Sequence, residues 1–92
     1  MEQVVNINRF LDKLGRITQL SQKPPLRIAT LCYLAEKFEV NYNYTEKEVN
    51  AICEKWNTFG DYFVLRRELI DQGFLCREPD GSRYWKPAPP KK

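Results

Sequence analysis

Histidine is absent from the 92 residues, so a zinc site would have to be built from cysteines alone or from cysteines with carboxylates. The three cysteines, Cys32, Cys53 and Cys76, are odd in number and lack a C-x-x-C spacing. Each falls in an apolar pattern, which reads as reduced thiols filling space rather than as a disulfide or metal framework. No metal and no cofactor is expected. Long apolar runs are also missing: the N-terminus lacks the core of a signal peptide, and nowhere do about 18 apolar residues follow one another. A soluble, unexported, cytoplasmic chain without a membrane partner is expected. There is no glycine-rich phosphate loop, no serine or cysteine nucleophile beside a base and no suggestive carboxylate pair, so an enzyme is not expected.

A strong basic excess is lacking too. The net charge is +3, divided as +3 up to Ile28, −2 from Ala29 to Gly60, 0 from Asp61 to Lys86 and +2 in the tail. A general polyanion binder usually carries a much stronger bias, so any phosphate contact must come from local placement.

What is present suffices for one small core. Hydrophobic residues make up 42% of the chain and charged residues 29%, within the globular range. Residues 1–86 read as a single domain, followed by a mobile Pro/Lys tail over 87–92. Ile7, Phe10, Leu11 and Leu14 follow the i, i+3, i+4, i+7 rule of an amphipathic helix, with Asn6 as cap and Gly15 as stop. "RITQLSQ" has no helical period and reads as extended or loop. Pro24 and Pro25 suit the first turn of a second, central helix over "LRIATLCYLAEKF". Thr45 and Glu48 form a capping box for a third helix, in which Val49, Ile52, Cys53 and Trp56 repeat the helical spacing. Thr58 and Asp61 offer the same arrangement for a fourth, from about Phe59 to Gln72 with Gly73 beyond.

"FLCRE" and "SRYWK" then flank "PDG", where Pro79 fits the second position of a tight turn and Gly81 supplies positive φ. A short strand around Tyr42 to Tyr44 could join that hairpin. The expected fold is α+β: a bundle of four helices with a C-terminal β-hairpin wing, the order of a winged helix-turn-helix.

The segment "YTEKEVNAICEKWNTFGDYFVLRRELIDQGFLCREPDGSRYW", Tyr44 to Trp85, resembles a small uncharacterised bacterial family, a domain of unknown function. Phe10 to Phe38 is similar to the family's weaker first half. "YTEKEVN", "LRREL" and "DGSRYW", in that order and at those spacings, carry the resemblance. Members occur alone or behind the DNA-binding domain of transcriptional regulators, which implies a link to transcription but no mechanism. Where this chain has Asn57, relatives often carry histidine.

The basic residues decide between partners. On a helical wheel Arg66 falls among Phe59, Tyr62, Phe63, Leu65, Leu69 and Ile70, so it reads as structural, paired with an acid such as Glu48 or Glu36. The opposite face carries Gly60, Asp61, Val64, Arg67, Glu68 and Asp71, net acidic where a helix in the major groove normally brings positive charge. Arg67 either reaches a base or phosphate or pairs with Asp71. In the hairpin, a three-residue loop sets Arg77 opposite Arg83, where a phosphate fits between them. A two-residue loop at Asp80 and Gly81 instead sets Glu78 opposite Arg83, an ordinary salt pair; Pro79 favours the first. Tyr84 and Trp85 read as one ring closing the core and one covering the outer face rather than as stacking platforms. Arg67, Arg77, Arg83 and Lys86 are thus the candidate contacts for double-stranded DNA, with a protein partner as the alternative and the oligomeric state open.

Overall fold

The structure is a computed structural model and describes residues 7–88. The expected cap at Asn6, the tail lysines Lys91 and Lys92 and most of the 87–92 tail lie outside the described residues. Three α-helices, α1 (Pro24–Ala35), α2 (Glu46–Lys55) and α3 (Tyr62–Asp71), precede an antiparallel hairpin of β1 (Cys76–Arg77) and β2 (Tyr84–Trp85). The class is α+β.

The expected first helix does not form; in its place Asn8–Phe10 makes a single 3-10 turn. The side chain of Asp12 is the reason. Its Oδ1 accepts the N–H groups of Leu14 at 2.9 Å and Arg16 at 2.8 Å, and Oδ2 accepts from Arg16 Nε at 2.8 Å. These bonds compete with a helical ladder and win, folding the chain back so that Leu11 bridges Ile17. Leu14, expected on the buried stripe, is left 71% exposed. Gly15 sits at the bend with φ +79°, and the Tyr33 hydroxyl donates to its carbonyl at 2.6 Å. A Cβ there would lie 2.8 Å from that hydroxyl, so the turn needs glycine twice over.

Ile17 is fully buried and acts as a strut. Its N–H donates to Trp56 O at 2.7 Å and its carbonyl accepts from Thr58 N–H at 2.9 Å, which fixes the α2–α3 turn to the N-terminal segment. Asn57 closes the same turn from inside. Its Nδ2 donates to Cys53 O at 2.7 Å, satisfying a free carbonyl at the end of α2, while Oδ1 accepts from Gly60 N–H at 2.7 Å.

Pro24 and Pro25 open α1, as the missing N–H groups predict. The capping box of α2 is present in both directions, Thr45 Oγ1 accepting from Glu48 N–H at 3.1 Å and Glu48 Oε1 from Thr45 N–H at 2.8 Å. For α3 the expected cap at Thr58 is displaced by three residues: Asp61 Oδ1 accepts from Val64 N–H, because the backbone of Thr58 is already held by Ile17. Leu31, Leu34, Val49, Leu65, Leu69 and Leu75 meet in a core shared by all three helices and the hairpin. At its α1–α2 corner the Lys37 ammonium lies over two rings, 4.4 Å from Tyr33 and 4.2 Å from Trp56.

Tyr44 adds one rung to the hairpin, exchanging hydrogen bonds of 2.7 and 2.8 Å with Tyr84. The strand expected near Tyr42 to Tyr44 is therefore a single bridge on the β2 side. Among the described residues no helix is long and apolar enough to cross a membrane.

Candidate functional site

The hairpin register decides which side chains each face presents. Cys76 pairs with Trp85 and Arg77 with Tyr84, and Glu78 N–H donates to Arg83 O at 2.9 Å. This is the register of the Asp80-Gly81 loop. The alternative that set Arg77 opposite Arg83 is overturned: Pro79 occupies the second position of a turn closed by Gly81 N–H to Glu78 O at 2.8 Å, a role compatible with either loop length.

Because side chains alternate between faces, Arg77 and Arg83 lie on opposite sides of the hairpin and cannot grip one phosphate. The outer face carries Cys76, Glu78, Arg83 and Trp85. There Arg83 Nη2 meets Glu78 Oε2 at 2.6 Å, and its guanidinium lies 4.6 Å from the Trp85 ring centre. Tyr84 is buried on the inner face, so the two rings divide as the sequence suggested. Lys86, also inward, donates from Nζ to Ala35 O at 3.0 Å at the end of α1.

Arg66 points inward with its side chain 15% exposed, but neither Glu48 nor Glu36 is its partner. Glu48 is committed to the capping box. The first turn of α2 instead supplies Glu46, whose Oε2 lies 3.4 Å from Arg66 Nη1, and one turn on Asn50 Oδ1 accepts from the same nitrogen at 2.6 Å. Glu46 also accepts from the Tyr84 hydroxyl at 3.3 Å and so joins α2, α3 and the hairpin. Burial first, and then the Glu46 charge, raises the Tyr84 pKa, keeping that hydroxyl a donor. Glu46 and Asn50 were legible as an i, i+4 pair on one face of α2; what the sequence did not show was that this face meets α3.

Glu68, counted among the exposed acids of α3, belongs elsewhere. It meets Arg27 of α1 at 3.1 Å with its side chain 21% exposed. The hydrogen bond from Arg27 holds its carboxyl below the usual glutamate range, against an opposing push from burial. Arg67 stays outside, 70% exposed and 3.9 Å from Asp71.

These placements leave a cleft of about 400 Å³ between α3 and the inner face of the hairpin. Phe63, Arg66, Arg67 and Ile70 form one wall, and Tyr84 and Arg77 the other. Of the four cations expected to contact nucleic acid, Arg67 and Arg77 share this cleft, Arg83 faces away and Lys86 is held by Ala35. At the leading end of α3, Phe59 and Tyr62 are also part-exposed, and Phe63 is 52% exposed. Cys53 of α2 is buried within reach of the Arg66 charge. Burial pushes its thiol up to about 12, only weakly opposed by the Arg66 charge, so it stays protonated at neutral pH. Among the described residues no three metal-binding side chains cluster.

A family described as uncharacterized proteins conserved in bacteria, DUF2087, matches residues 16–86. The chain belongs to this family. No curated protein and no solved structure matches it. The matched part of the DUF2087 chain begins at Arg16 and runs through Lys86, and so contains every wall of the cleft.

Proposed function

We propose that the chain is a winged-helix module that binds a protein partner through the cleft between α3 and the hairpin. In this reading α2 and α3 are the helix-turn-helix pair and β1–β2 is the wing. The observation that carries it is the scatter of the basic side chains beside a cluster of exposed rings. A duplex-reading helix brings positive charge among phosphates and offers its N-terminal residues to base edges. Here those residues are Asp61, Tyr62 and Phe63, while Arg77 and Arg83 face opposite ways. Exposed aromatic residues beside arginine are the composition of a protein interface rather than of a phosphate track. The resemblance to modules carried behind DNA-binding domains of regulators suits a part that recruits protein while another part holds DNA.

Double-stranded DNA is the second reading, favoured by the exposure of both Arg67 and Arg77 on one cleft. A photo-crosslinking residue at Phe63, with a control at Lys13 in the N-terminal turn, tests the two. A discrete protein adduct in cells from position 63 alone is expected. Salt-sensitive binding of a duplex at low ionic strength, abolished by joint replacement of Arg67 and Arg77, would reverse the order of the readings.

A further inference from the structure

The cleft has a positively charged lining, an apolar floor and an adjoining backbone edge, and the three together describe an occupant. Glu46 is engaged by Arg66 and the Tyr84 hydroxyl, and Asp71 is loosely matched by Arg67. Among the described residues no carboxylate pairs with Arg77. Its Nη1 donates to the carbonyls of Glu78 at 3.4 Å and Pro79 at 3.2 Å. The lining therefore keeps one uncompensated positive charge, and a guanidinium so placed donates two parallel hydrogen bonds to a carboxylate. Beside it Phe63, Ile70 and the Tyr84 ring offer apolar surface, and the volume falls within the range of about 300–1,000 Å³ usual for ligand clefts.

The backbone adds a third constraint. Since Glu78 and Arg83 form a hydrogen-bonded pair, Arg77 and Tyr84 form the next, non-bonded pair, and their N–H and C=O groups point away from each other. Those of Tyr84 are taken by Tyr44. Those of Arg77 face the other edge of the sheet beside the cleft, where no strand among the described residues pairs with them and an extended segment can. The edge is short: Leu75 N–H is spent on Leu69 O at 3.1 Å, and Pro79 has no N–H to give.

We infer that this cleft takes a short extended acidic peptide, one carboxylate meeting Arg77, an adjacent apolar side chain resting on Phe63 and Ile70, and its backbone pairing with Arg77. The inference rests on the protein-binding reading above and names the chemistry of its partner.

The test uses the full chain and three labelled probes: a short peptide alternating glutamate with phenylalanine, the same peptide with glutamine for glutamate, and a duplex DNA. The acidic peptide should bind, the glutamine version should bind about tenfold or more weakly, and the duplex should not compete. Arg77→Glu should remove binding, while Arg83→Glu, on the opposite face, should leave it unchanged; both variants should remain folded, Arg83→Glu melting slightly lower because its pair with Glu78 is lost. The Arg77 amide should exchange more slowly in the complex. No binding of the acidic peptide, equal loss in the two variants, or displacement by the duplex overturns the proposal. Should the Phe63 crosslink to protein survive Arg77→Glu, the partner reading stands and the acidic chemistry falls.

Discussion

Glu68 and Arg67 are neighbours on α3, yet the two sides of the helix they occupy are finished differently. Toward α1, Arg27 donates to Glu68 and to Ser21 O, and both partners of the ion pair are about three-quarters withdrawn from water. Toward the hairpin, Arg67 and Asp71 stand in solvent at 3.9 Å and Arg77 donates to two backbone carbonyls of its own turn. Charges of the same kind thus serve as scaffold where their partners are complete and remain available where they are not. The closed side is expected to answer in stability, the open side in binding.

Breaking what both sides share should have the largest effect. Leu69 is fully buried, and its carbonyl accepts from both Phe74 and Leu75 as the chain leaves α3. Leu69→Ala should cost about 2–5 kcal/mol in a urea titration; a loss below about 1 kcal/mol would mean that α3 is not anchored as described. Next comes the closed side alone. Glu68→Ala should cost about 1–3 kcal/mol by stranding Arg27.

Acid sharpens that prediction. Glu68 has a folded-state pKa depressed below its unfolded value, so its contribution is full above the ordinary glutamate range and is lost as pH falls through the folded value. The gap in melting temperature between the parent and Glu68→Gln should therefore narrow on acidification below that range. A gap that widens there would show that the Arg27 pair is not its source.

On the hairpin side the expected effects are smaller and graded. Arg66→Ala should cost about 1–2 kcal/mol, since Asn50 loses a charged donor while Glu46, half exposed, is rehydrated. Arg67→Ala should stay within about 0.5 kcal/mol. Equal melting temperatures for these two variants would erase the distinction between inward and outward arginine on α3.

Where backbone needs and side-chain pattern agreed, the sequence was readable: Pro24 and Pro25, the Thr45 and Glu48 capping box, and the turn at Pro79 all sit where local chemistry put them. The N-terminal stripe misled because periodicity counts apolar residues and overlooks a single Asp12 carboxylate able to collect the N–H groups of Leu14 and Arg16. The inward turn of Arg66 was visible on a wheel, but its partner depended on how α2 meets α3, and Glu68 was misplaced because Arg27 lies 41 residues away. The cleft itself was not legible. It arises from the hairpin register, and a slip of one residue in one strand would put Arg77 and Arg83 on the same face.

Lys37 over Trp56 and Arg83 over Trp85 have an optical consequence. The chain has two tryptophans, each with a cation against its ring, one at the α1–α2 corner and one on the outer face of the hairpin. With Trp56→Phe, the remaining tryptophan emission reports the outer face of the hairpin alone. An acidic peptide seated in the cleft should leave that signal nearly unchanged, while anything lying across the outside of the hairpin should shift it, so the protein carries its own indicator of which surface is occupied.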